Sequence, residues 1–130
     1  MKKKIMVVDD DPENNLSLKV GLEELDQDFE IICAESGKQC FQFLNNENIP
    51  DLILLDLMMP EINGWEVFGE LKKNSNWEKI PVIFLTARSD HIAKNAGKFL
   101  GEDYIEKPYE LEEVRNRINK ILNEMEKINS

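Results

Sequence analysis

The sequence predicts an α/β domain: a parallel sheet with helices on both faces, made by a βα unit repeated five times. Three observations predict it. Five short apolar runs alternate with polar stretches that carry helical stripes. Two of the runs, residues 52–55 and 82–85, are apolar without a break, as expected of strands covered on both faces. The connections are short, and no linker, low-complexity stretch or internal repeat interrupts the alternation.

The first strand is Ile5-Met6-Val7-Val8, followed at once by Asp9, Asp10 and Asp11. Asp11 is suited to cap a helix that starts at Pro12, and Leu18, Leu22 and Leu25 form a helical row. Leu16, Leu18, Val20 and Leu22 alternate like a strand and Gly21 weakens a helix, but the cap and the row decide for helix. The run FEIICA (29–34) is mixed and predicts an edge strand. LILL (52–55) predicts an interior strand that ends in Asp56. Beyond the Asn63–Gly64 turn and Trp65, Phe68 and Leu71 mark a helix, for which Gly64 is expected to supply backbone freedom. VIFL (82–85) predicts the second interior strand, followed by Thr86 and Ala87. Ile92, Ala96 and Leu100 share one face of a fourth predicted helix, with His91 a surface residue at its start. DYI (103–105) is short and polar-flanked, a second edge. Leu111, Val114, Ile118, Ile121, Leu122 and Met125 form the clearest stripe, on a last helix over about 110–127.

Composition narrows the function. At 130 residues, 42% hydrophobic and 32% charged, the chain fits one globular domain. No apolar run approaches the ~20 residues of a membrane span. The opening MKKKIMVVDDD breaks into acids too soon for a signal peptide, so the expected location is cytoplasmic. Cys33 and Cys40 read as reduced thiols in or near the core. A net charge of −10 argues against binding nucleic acid or an anionic membrane, and suits a divalent cation or a basic protein partner.

Ligands of such sheets sit beyond the carboxyl ends of the strands. The residues there are Asp9 and Asp10, Asp56, Thr86, and Lys107 with Pro108. If the first and third strands are neighbours, three carboxylates converge. They repel one another without a cation, and oxygen-only ligands favour Mg²⁺. A hydroxyl and a lysine beside them suit a group rich in anionic oxygens, as phosphoryl transfer requires.

The stretches VVDDDP (7–12), PDLILLDLMMPEINGWE (50–66), IPVIFLTA (80–87) and DYIEKPY (103–109) resemble the receiver domains of two-component response regulators, in order and spacing over nearly the whole chain. The resemblance implies a three-layer flavodoxin-like sandwich with strand order 2-1-3-4-5 and one receiver domain over 1–130 with its core at about 3–127; the chain ends about one helix after KPY, which leaves open a stand-alone protein or a piece of a larger one. It implies that Asp56 is the phosphoacceptor. Asp9, Asp10, Asp56 and the backbone carbonyl of Met58 would hold Mg²⁺ or Mn²⁺, Asp9 through water. Lys107 and Thr86 would contact phosphoryl oxygens, and the Lys107–Pro108 bond would be cis. Thr86 and Tyr104 would form a switch pair acting on the face of the fourth helix, fifth strand and last helix.

The implied partners are a sensor histidine kinase or phosphotransfer protein as donor and an unidentified downstream protein, with the chain a monomer or weak dimer. Phosphorylation and dephosphorylation would be self-catalysed, with no enzymatic turnover of an external substrate. Met58 and Arg88 would flank the path of an attacking water. Two rival readings fit less well. An aspartyl-phosphate phosphatase usually carries a second acid two residues after its nucleophile, where this chain has Met58. A pure interaction module has no use for the full acid, threonine and lysine set. Asp11 reads as a cap rather than a ligand, and Trp65 and Trp77 as packing residues.

Overall fold

A computed structural model describes residues 2–87 and 103–129, the side chains of 86, 87, 128 and 129 excepted. The elements are β1 (Lys3–Val8), α1 (Pro12–Leu25), β2 (Phe29–Ala34), α2 (Gly37–Asn45), β3 (Leu52–Asp56), α3 (Gly64–Lys73), β4 (Val82–Ala87), β5 (Asp103–Lys107) and the last helix, α4 (Leu111–Asn129). The predicted helix carrying Ile92, Ala96 and Leu100, with His91 and Arg88, lies outside the described residues.

All five strands are parallel, in the order β2-β1-β3-β4-β5. β2 and β5 are the edges, as their mixed patterns predict. β3 is buried along its whole length. Alternation along β1 sorts the core into two layers. Ile5 and Val7 pack with Leu18 and Leu22 of α1 and Val114 and Ile118 of α4. Met6 and Val8 pack with Cys40 and Leu44 of α2 and Val67, Phe68 and Leu71 of α3. Each fully buried leucine is worth roughly 1.5–3 kcal/mol.

The strand-like alternation near residue 20 resolves as helix. Leu18 and Leu22 are buried, whereas Leu16 and Val20 are 61% and 47% exposed. The cap is the expected one: the Asp11 side chain accepts from the Glu13 N–H and Pro12 opens the helix. Gly21 has a packing reason, since a Cβ there would collide with the side chain of Leu111. Asn63 and Glu66 close a reciprocal capping box on α3. Trp65 and Phe68 pack on Phe84, with ring centroids 5.2 and 5.1 Å apart, and Trp77 stacks on Phe41. The cysteines are unbridged, Cys40 in the core and Cys33 half-buried.

Candidate functional site

β1 and β3 lie side by side, with Val8 opposite Leu55, so Asp9 and Asp56 emerge together at the same end of the sheet. Among the described residues, the buried polar or charged side chains are Asp9, Asn15 and Asp56. Asp9 is 1% exposed and every polar group it has is occupied. Its N–H donates to the Ala34 carbonyl at 3.1 Å, and its carbonyl accepts from Asn15 Nδ2 at 2.9 Å. Its Oδ1 accepts the Asp11 N–H at 3.0 Å. Its Oδ2 accepts from Asn14 Nδ2 at 2.7 Å and from Lys107 Nζ at 3.2 Å. Asp10 is exposed. One oxygen of each of Asp9, Asp10 and Asp56 lies within 4.8 Å of the others.

Asp56 ends β3, 5% exposed. Its Oδ1 accepts the Met58 N–H at 3.2 Å, and its Oδ2 lies 3.5 Å from Lys107 Nζ. Burial first, and the neighbouring Asp9 charge second, push the Asp56 carboxyl up to about 6, against the opposing pull of Lys107 and the Met58 N–H. Lys107 ends β5, and its bond to Pro108 is cis. Partial burial works against its charge, but Asp56 and Asp9 outweigh that and hold the ammonium above its ordinary value.

β4 sets the level of the remaining residues. Phe84 pairs with Tyr104, Thr86 with Glu106 and Ala87 with Lys107, so Thr86 sits at the carboxyl edge of the sheet. The Thr86 side chain lies outside the described residues. Tyr104 is half-buried against the α2–α3 side of the core. Beside it, Arg117 pairs with Asp103 at 2.6 Å and donates to the Tyr104 carbonyl at 3.2 Å.

Gly64 requires a correction. Its backbone is not in the left-handed region, so freedom of φ is not its function. A Cβ there would lie 2.5 Å from the Asp56 carbonyl oxygen and 2.7 Å from Leu57 Cα. The glycine lets the start of α3 press on the chain beside Asp56, and its N–H donates to the Leu57 carbonyl at 3.1 Å. The positive φ in this loop belongs to Glu61, at 65°.

Three residues of the site escape sequence reasoning: Asn14, Asn15 and Tyr109. The Tyr109 hydroxyl donates to Asn14 Oδ1 at 3.0 Å. The two asparagines occupy the first turn of α1, which faces back to the strand end. A search for donors to the buried Asp9 would have found them. Tyr109 is 95 residues from Asn14, and no local pattern signals the contact.

The donor set suits a hard divalent ion. Three carboxylates face one lysine, all the donors are oxygens, and a small cation relieves the repulsion that raises Asp56. Sheet order and pocket together define a flavodoxin-like α/β domain with a pocket of carboxylates and one lysine at its strand ends.

Comparison with known proteins narrows the class. Residues 5–119 match the response regulator receiver domain family. The transcriptional regulatory protein CrdR of Helicobacter pylori is 38% identical over 95% of this chain and 57% of its own length. The response regulator ArlR of Staphylococcus saprophyticus is 38% identical over 92% of this chain and 52% of its own. The chain thus spans about half the length of these relatives. The receiver domain of a Francisella response regulator superposes with a TM-score of 0.83 at 30% identity, over 95% of this chain and 99% of that one. The chain belongs to the response regulator receiver domain family, the phosphoacceptor modules of two-component signalling. Receivers of this family typically bind Mg²⁺ in their acid pocket and interact with histidine kinases or phosphotransfer proteins. No described helix is long and apolar enough to cross a membrane.

Proposed function

We propose that Asp56 accepts a phosphoryl group from a phosphohistidine on a sensor histidine kinase or phosphotransfer protein, and that residues 1–130 act as one receiver domain. Mg²⁺ or Mn²⁺, held by Asp9, Asp10, Asp56 and the Met58 carbonyl, would neutralise phosphoryl oxygens. A carboxylate oxygen of Asp56 attacks phosphorus. A P–O bond forms, the P–N bond to the donor imidazole breaks, and the imidazole leaves with the bonding pair and is protonated. Lys107 turns from the two carboxylates toward an oxygen of the new acyl phosphate, and the Thr86 hydroxyl donates to another. Tyr104 then moves inward beside Thr86. The face of β5 and α4 changes shape and alters binding of a downstream protein. Water attacks the acyl phosphate to reset the domain, so chemistry is confined to its own aspartate. The setting is the cytoplasm, with no nucleic acid bound by this chain.

The observation that carries the reading is Lys107 Nζ at 3.2 Å from Asp9 and 3.5 Å from Asp56, three strand ends brought to one point. The test is incubation with acetyl phosphate and Mg²⁺ followed by intact-mass and peptide mass spectrometry. One phosphoryl group on Asp56 is expected, with none on Asp56→Asn. A protein that takes up no phosphate, or carries it on another residue, refutes the reading.

A further inference from the structure

Asp9 is the best-held side chain of the pocket, and one of its partners has no place in the scheme above. Asn14 Nδ2 makes the shortest contact to Asp9, at 2.7 Å, on the same oxygen that accepts from Lys107. The direction of the amide is fixed by chemistry. An ionised carboxylate only accepts, so Asn14 must present its NH₂ to Asp9. Its Oδ1 is then left for Tyr109, 3.0 Å away, whose hydroxyl must donate. Tyr109 is itself half-buried against the α1–α4 side of the core. The result is a one-way chain of hydrogen bonds from Tyr109 through Asn14 to Asp9, tying the segment after β5 to the first turn of α1.

We propose that Asn14 is a positioning residue for the cation pocket, holding Asp9 in place independently of Lys107, and that Tyr109 acts through it by fixing the amide's orientation. The inference rests on the proposed phosphoacceptor role, in which Lys107 leaves Asp9 for a phosphoryl oxygen. A buried carboxylate that loses a cationic partner needs another donor or it reorients. Asn14 and the Asp11 N–H stay with Asp9 through that exchange, so its oxygens keep their aim on the pocket. A hydrogen-bond partner of this kind behind a metal-binding carboxylate typically governs affinity by an order of magnitude or more.

The test is isothermal titration of the metal-free protein with Mg²⁺ alone, for wild type, Asn14→Ala, Tyr109→Phe and the double variant, each checked for folding by urea melts. Asn14→Ala is expected to weaken Mg²⁺ binding about 10-fold and Tyr109→Phe about threefold, with little change in the melts. Tyr109→Phe should have no added effect once Asn14 is alanine, because its action passes through that amide. A residue of merely structural importance would shift the melts instead and leave the affinities alone. Asn14→Ala within about twofold of wild type, or a Tyr109→Phe effect equal in both backgrounds, overturns the proposal. If Asn14→Ala does not fold, Tyr109→Phe alone decides, and unchanged Mg²⁺ affinity overturns it. A wild-type protein that binds no Mg²⁺ overturns both this inference and the phosphoacceptor reading, whereas normal wild-type binding with unaffected variants overturns the inference alone.

Discussion

Replacing Asp56, the proposed phosphoacceptor, should make the metal-free protein more stable. Asp56 is 5% exposed, and its carboxyl is raised from 3.8 to about 6. Well below its unfolded value of 3.8 the group is protonated in both the folded and unfolded chain, and it exacts no penalty. As pH rises through the 4–6 window, the unfolded chain gives up its proton first and is favoured. At neutral pH the full cost of ionising Asp56 in the folded state is present, about 3 kcal/mol for a shift of roughly two units. Asparagine keeps the shape of the protonated acid and removes the charge. The pull of Lys107 is already contained in the net shift, so the expected gain for Asp56→Asn is about 1–3 kcal/mol at pH 7.5. The assay is urea unfolding in chelator at several pH values. The gain should be small at pH 4 and grow to its full size by about pH 7. Millimolar Mg²⁺ should then stabilise wild type more than the variant, which has lost one ligand. A variant no more stable than wild type at neutral pH, or a gain of equal size at pH 4, refutes the account of crowded charge.

Gly64→Ala should cost about 1–3 kcal/mol in urea melts, because the new methyl meets the backbone of Asp56 and Leu57, which has nowhere to yield. Equal stability would show that the loop relaxes freely. Met58 is 68% exposed and its N–H holds Asp56 Oδ1, so its side chain sits at the pocket rim without a group that orients water. Met58→Asn is therefore expected to speed loss of the acyl phosphate roughly fivefold, well short of a full general base. Decay followed by loss of mass in chelator checks this, and equal or slower decay removes the idea.

Much of this fold was legible in the chain because period and burial agree. The unbroken apolar runs of β3 and β4 match strands covered on both faces, and the mixed runs of β2 and β5 match edges. Asp9, Asp10, Asp56 and Lys107 were legible because strand ends in a parallel sheet share one rim. What escaped was carried by contacts distant in sequence. Tyr109 reaches Asn14 across 95 residues, and Gly64 is dictated by the closeness of Asp56 and Leu57 rather than by its own turn. Leu16 and Val20 mimic the alternation of a strand because they lie on the exposed face of α1, and the Asp11 cap and the Leu18–Leu22 row are what identify the helix.

Lys107 arrives 98 residues after the carboxylate it neutralises. On the ribosome the acids are therefore made first and must wait for their counter-charge until β5 has docked on β4. A nascent or nicked chain lacking that last strand holds the anions without the ammonium, and so lacks the cation proposed to meet a phosphoryl oxygen. On the proposed role of Lys107, competence to carry a signal is tied to completion of the fold.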